Sequence, residues 1–226
     1  MAKSIFTSGI LALAAVGGLW WYAGQAIIGQ NPAPVTAADA QTAATASSEA
    51  SVVPDMVLGQ ADAPLTVVEY ASFTCPHCAN FHKNVFDDFK KNYIDTGKVK
   101  FVYREVYFDK FGLWGGIVAR CGGPTKYFGI SDMLYDGQSD WLASNDEAGV
   151  SEALRKIGLK AGLTAEALDA CLADRDMAKA MVSAYQANAT RDEIKSTPSF
   201  LIDGELVSGG MSYEDFAALL DAKLAE

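Results

Sequence analysis

The chain has 226 residues, half of them hydrophobic and a fifth charged, a globular composition with length for one well-buried domain or a domain carrying a sizeable insertion. Net charge is −10 and Lys and Arg form no cluster, which excludes nucleic acid as a partner because phosphate binding needs concentrated positive charge. Four cysteines are too few for a disulfide scaffold, so the core must carry the fold.

Residues 1–30 differ from the rest. After Lys3 no charged residue occurs before Asp39, and Ile5 to Ile28 is a mostly apolar run with Trp20, Trp21 and Tyr22 towards its outer end. A signal-peptide apolar region spans about 7–15 residues and a membrane-crossing helix about 20. The run therefore has the length of a membrane anchor, with a cleaved signal sequence as the alternative. Both readings export the rest of the chain, to where disulfides persist. Residues 31–55 are rich in Ala, Ser, Thr and Pro and lack aromatics, so they read as a flexible linker. The folded part is expected over 56–226.

The β-branched, apolar stretch Leu65 to Tyr70 predicts a buried strand. Cys75-Pro76-His77-Cys78 comes next, then a helix to about Lys91 with Phe81, Val85, Phe86 and Phe89 on one face. Val99 to Val106 predicts a second strand. Over about 109–193 the period becomes helical. Trp114, Ile117, Val118 and Cys121 make one stripe, Val150, Leu154 and Ile157 another, and Met177, Met181, Ala184 and Tyr185 a third. Thr164 is placed to cap a short helix carrying Leu168, Cys171 and Leu172. Ser199 to Ile202 and Glu205 to Ser208, joined by Asp203-Gly204, form a hairpin signal. A helix over Tyr213 to Leu224, capped by Ser212, closes the chain with Phe216, Leu219, Leu220 and Leu224 inward.

The chemistry is expected at Cys75 and Cys78. Cys-x-x-Cys between a strand and a helix puts the first sulfur at a helix N-terminus, where unpaired N–H groups and the helix dipole stabilise a thiolate. The second sulfur lies one turn on, within bridging reach. Pro76 suits a first helical position because its missing N–H costs nothing there. His77 adds a polar ring beside the sulfur. Cys75 is expected to be exposed with a lowered pKa, and Cys78 to be more buried. Two duller readings compete. A static Cys75–Cys78 disulfide closes too short a loop to stabilise much, and a zinc site using Cys75, Cys78 and His82 lacks a closely spaced fourth ligand. His82 is expected to face solvent or pack on the helix. Glu69, in the middle of a buried strand, is costly as a bare carboxylate. It reads as a proton acceptor for Cys78, or as a buried acid paired with a group such as Lys100.

The stretch Val68-Glu69-Tyr70-Ala71-Ser72-Phe73-Thr74-Cys75-Pro76-His77-Cys78-Ala79-Asn80-Phe81-His82 resembles the active-site region of the DsbA family of disulfide oxidoreductases. The resemblance covers roughly Met56 to the C-terminus and implies a thioredoxin-like α/β fold with an inserted all-helical domain. It implies catalytic roles for Cys75, Cys78, His77, Pro76 and Glu69, and a cis Thr197–Pro198 bond facing the cysteines and binding substrate. Thr197 departs from the valine of the best-known members and is shared with related isomerases. The insertion, with Ala119-Arg120-Cys121 and Ala170-Cys171-Leu172, resembles the branch with a second cysteine pair. That implies a structural Cys121–Cys171 disulfide, two buried free cysteines being the alternative. The implied activity is oxidation of reduced exported proteins, with a DsbB-like membrane oxidase as reoxidant and the periplasm as the compartment. No bound cofactor and no metal are implied. A disulfide isomerase or reductase of the same fold is the rival enzyme, and a redox-independent periplasmic chaperone the rival of another class.

Overall fold

The structure is a computed structural model and describes residues 53–226. The anchor or signal expected at 1–30, and all but the last residues of the linker expected at 31–55, lie outside the described residues.

A five-stranded sheet in the order β1-β3-β2-β4-β5 is the centre of the described part. Strand β1 (Met56–Leu58) precedes β2 (Leu65–Ala71), whose alternate residues enter opposite cores. Val67, Glu69 and Ala71 face one side, where Val67 and Ala71 join the larger apolar cluster, and Val68 and Tyr70 face the other. Both faces are covered, which is why β2 reads as a continuous apolar run. A helical run over residues 76–94 comes next and is named α1 here. It is α-helical at Pro76–Phe81 and Asp87–Phe89 but π-helical at His82–Phe86 and Lys90–Ile94. Strand β3 (Val99–Glu105) lies parallel to β2, with Glu69 opposite Tyr103. β1 pairs antiparallel with the outer edge of β3.

The chain then leaves the sheet for a helical insertion. Its elements are α2 (Lys110–Cys121), α3 (Pro124–Asp136), α4 (Gln138–Trp141), α5 (Glu147–Lys160), α6 (Ala165–Ala173) and α7 (Arg175–Arg191). The caps are side chains of the expected kind: Asp109 accepts from the N–H groups of Phe111 and Gly112, Asp146 from Gly149, and Thr164 from Ala167. Helix α2 comes close to the turn after β2. A Cβ at Gly115 would stand 3.3 Å from Phe73 Cβ, so only glycine permits this approach without displacement. Met181 is 1% exposed and packs, whereas Met177, expected on the same stripe, is 38% exposed. It lies in the first turn of α7, ahead of the stretch that reaches the sheet.

The chain returns through β4 (Ser199–Ile202), antiparallel to β2, and β5 (Glu205–Ser208). Asp203 and Gly204 take φ of 47° and 86°, the left-handed pair that a two-residue hairpin turn requires. Helix α8 (Tyr213–Leu224), capped by Ser212, buries Phe216 and Leu220 fully. Phe81, Phe89 and Phe200 meet Phe216 with ring centroids 5.1–5.5 Å apart, which fastens α8 to α1 and the sheet.

Candidate active site

Cys75 is the residue at which extended backbone becomes helix. Its φ and ψ are −83° and 119°, Pro76 occupies the first helical position, and its carbonyl accepts from Ala79 N at 3.1 Å. Cys75 and Cys78 stand as two thiols. Their environments differ sharply. Burial and the facing charge of Glu69 push the Cys78 thiol far up, burial being the larger effect. The Cys75 thiol is lowered from 9.0 to about 5, first by the hydrogen bond from Cys78, then by Thr197 and the backbone N–H groups of Cys78 and His77, against the opposing effect of burial. The pair thus holds one sulfur poised as thiolate and one held as thiol.

Thr197–Pro198 is a cis peptide that brings the Thr197 carbonyl oxygen to 3.5 Å from Cys75 Sγ. The expectation of an exposed Cys75 is corrected by this contact. The sulfur-bearing residue is only 8% exposed, because the 197–198 turn lies over it while Cys78 packs from below. The Thr197 hydroxyl is buried and has no hydrogen-bond partner, and its dipole favours ionisation of both sulfurs.

His77 differs from expectation in how it acts. Its side chain is exposed and lines a groove of about 520 Å³ together with Asn80, Asn84, Asp88, Met211 and Glu214. What reaches Cys75 from His77 is its backbone N–H.

Glu69 is fully buried, and its partner is not Lys100. Both carboxylate oxygens meet His82 Nε2, at 3.2 and 3.1 Å. His82 therefore does not face solvent: it is buried, its ring stacked on Tyr135 with centroids 4.1 Å apart. The spacing from Glu69 to His82 crosses a strand, a turn and a helix, so no local period reveals the pairing.

The insertion holds the reactive turn by further contacts that sequence reasoning missed. Gln138 Nε2 donates to the carbonyl oxygens of Phe73 and Cys75 at 2.8 and 3.0 Å. Thr74 Oγ1 donates to the α2 cap Asp109 at 2.8 Å. The Asp109 cap has a local signal; Gln138 has none, since its partners are main-chain atoms more than sixty residues away. Away from the site, Cys121 and Cys171 form a disulfide between α2 and α6.

The sequence of residues 51–222 matches a family described as thioredoxin. A Rickettsia bellii protein provisionally named a protein-disulfide oxidoreductase is 35% identical over 173 residues, covering 76% of this chain and 65% of that protein, so the match spans just under two thirds of that relative's length. Disulfide bond formation protein D of Bacillus subtilis is 25% identical over 182 residues, 79% of this chain and 81% of that one. Among solved structures, α-DsbA1 of Wolbachia pipientis superposes with a TM-score of 0.70 at 26% identity, covering 76% of this chain and 92% of that chain.

Proposed function

The chain belongs to the DsbA-like, thioredoxin-fold family of thiol:disulfide oxidoreductases, and on that footing we propose that it oxidises cysteine pairs in exported proteins by dithiol–disulfide exchange. The observation that carries the reading is the placement of the two sulfurs: Cys75 at the start of α1 against the Thr197 carbonyl of the cis turn, and Cys78 fully buried one turn on, a placement that lowers the Cys75 thiol and raises that of Cys78. In the disulfide form, a substrate thiolate bonds to Cys75 Sγ and the bond to Cys78 breaks. The substrate's second thiolate then attacks the mixed disulfide, and Cys75 leaves as a stable thiolate. A low-pKa thiol is a good leaving group and stabilises the reduced enzyme, which makes the disulfide an oxidant. Cys75, Cys78, Pro76, His77 and Glu69 are assigned to the exchange, and Thr197 and Pro198 to binding the substrate backbone beside Cys75, an edge-pairing mode. The Cys121–Cys171 bridge is assigned a structural role.

The proposed placement rests on the apolar run of Ile5 to Ile28 and on the oxidising compartment in which disulfides persist. Substrates are reduced exported proteins in the periplasm, residues 1–30 export or anchor the chain, residues 31–55 tether it, and a DsbB-like membrane oxidase restores the disulfide. The test is oxidation of a reduced two-cysteine peptide, together with equilibration of the Cys75–Cys78 pair in a glutathione series. Stoichiometric oxidation that is abolished in Cys75→Ser/Cys78→Ser is expected. A pair as reducing as thioredoxin replaces the oxidase by a reductase, and a double variant that still protects unfolded chains replaces it by a chaperone.

A further inference from the structure

The segment 193–198 carries the Thr197–Pro198 turn that lies over Cys75, and both of its ends are fastened to one residue, Tyr70. At the far end Ser199, the first residue of β4, stands opposite Tyr70 in the β2–β4 ladder. At the near end the Tyr70 hydroxyl donates to Oδ2 of Asp192, the residue that ends α7. The ring of Tyr70 is 0% exposed and lies in the smaller apolar cluster, on the face of the sheet away from the sulfurs. One residue of β2 thus holds the start of the segment by its side chain and the end by its main chain.

Arg104 closes the fastening. It is the register partner of Tyr70 on β3, and its Nη1 donates to the Tyr70 hydroxyl at 2.9 Å and to Asp192 Oδ2 at 3.0 Å. The rest of the guanidinium holds Asp55 at 3.0 and 2.9 Å. The Arg104 and Asp192 side chains are 18% and 12% exposed, so the bonds between them are charge-assisted and little screened. Arg191 also donates to Asp192, but from a side chain 55% exposed. The chain beyond Asp192 is constrained as well. Glu193 takes a φ of 54°, a left-handed conformation that costs a non-glycine residue energy and persists where the surroundings over-determine it, ligand clamps among such places. Ile194 N–H donates to Ala189 O at 2.9 Å, and its side chain packs against the cluster of Val68 and Tyr70. Thr197 then arrives with its carbonyl oxygen 3.5 Å from Cys75 Sγ, and Pro198 O accepts from Gly209 N at 2.9 Å.

We propose that Asp192 is a positioning residue for peptide substrates: clamped by Tyr70 and Arg104, it sets where the Thr197 main chain lies over Cys75, and so how well a substrate strand pairs there. This rests on the exchange reading above, including the assignment of Thr197 to the substrate backbone, and adds the part of the molecule that holds that backbone edge in place. Pairing of main chains depends on alignment, and a misplacement of about 1 Å by a change far from the chemistry costs up to about 100-fold. Two kinds of thiol feel the clamp differently. A small thiol has only to reach the Cys75 sulfur, which the 197–198 turn covers, so a loosened turn gives it easier access. A peptide thiol must reach the same sulfur while pairing with Thr197, so a loosened turn makes it a poorer partner.

The test compares two reductants of the Cys75–Cys78 disulfide in the full chain, mercaptoethanol and a reduced two-cysteine peptide, at one pH. In Asp192→Ala the rate constant for the peptide divided by that for mercaptoethanol is expected to fall on the order of 10-fold, within the range that misalignment covers, while the mercaptoethanol reaction is no slower than in the wild type. In Tyr70→Phe, which removes one hydroxyl and keeps the Arg104–Asp192 pair, the ratio is expected to fall by about 3-fold, the scale of one ordinary hydrogen bond. A clamp that serves folding alone lowers the urea midpoint of both variants and leaves the ratio at its wild-type value, which overturns the proposal. Equal slowing of both reductants also leaves the ratio unmoved and overturns it. If Asp192→Ala does not fold, Tyr70→Phe decides by the same ratio. A wild-type disulfide that neither reductant opens defeats the exchange reading itself, whereas normal wild-type exchange with an unmoved ratio in the variants defeats only the positioning role of Asp192.

Discussion

Gln138 binds the carbonyl oxygen of Cys75 at 3.0 Å through its side-chain amide, and so ties the helical insertion to the turn that carries the reactive sulfur. The same amide holds Phe73 O at 2.8 Å. Neither acceptor has freedom to find water without the turn moving, since Phe73 is 1% and Cys75 8% exposed.

Replacing Gln138 by Leu removes both bonds while keeping the volume. The Cys75 carbonyl keeps the Ala79 N–H, but the Phe73 carbonyl is left without its partner, and a buried carbonyl left unpaired costs about 1–3 kcal/mol, so denaturant unfolding of Gln138→Leu is expected to shift down by about that amount. Alkylation of Cys75 should quicken as the turn loosens. Unchanged stability with unchanged alkylation would show that the turn is held by β2 and α1 alone.

The ionisation of Cys75 is expected at about pH 5, followed by ultraviolet thiolate absorbance, with Cys78 silent throughout the same titration. A depressed folded-state pKa stabilises the reduced protein fully above the ordinary thiol value near 9.0 and progressively less as pH falls towards 5. The disulfide form has no such group. The stability of the reduced protein relative to the disulfide form should therefore rise from acid to alkaline pH across that window, with a slope of about 1.4 kcal/mol per pH. A difference independent of pH contradicts the assignment.

Thr197→Val separates fold from chemistry. The Thr197 hydroxyl is buried and unpaired, and exchanging such a group for an apolar one of the same shape is close to neutral or stabilising. The hydroxyl also lowers Cys75. The variant is thus expected to unfold no more easily in its disulfide form while its thiolate midpoint moves up and its disulfide becomes a weaker oxidant. Lost stability with an unmoved midpoint would place the hydroxyl in packing instead.

The Cys121–Cys171 bridge closes a separation of 50 residues, and the chain-entropy model gives it about 4 kcal/mol of stabilisation. Cys121→Ala/Cys171→Ala should lose stability on that scale while keeping the Cys75 titration, since the bridge joins α2 to α6 and not the reactive turn. A shifted Cys75 midpoint in that variant would mean that the insertion tunes the site.

Signals that act within a few residues are legible along the chain itself. Leu65 to Tyr70 is a strand because its β-branched, apolar side chains suit a sheet buried on both faces, and Asp203-Gly204 turns because both positions need positive φ. Ser212, Thr164 and Cys75-Pro76 mark helix starts by side-chain and proline chemistry that acts within one turn. The sulfur pair at a strand–helix junction follows from the same short-range geometry, and the stripes of the insertion follow from a period of 3.6. Beyond the reach of the sequence lies every relationship made by bringing distant segments together. The partner of Glu69, the cover over Cys75, the amide of Gln138 and the short β1 strand depend on tertiary packing, which pairs atoms without regard to their separation along the chain. A buried carboxylate demands a partner as a matter of electrostatics, so the need at Glu69 is readable from its place in the strand. Which side chain meets that need is decided only when α1 settles on β2, placing His82 over Glu69 and Tyr135 against its ring.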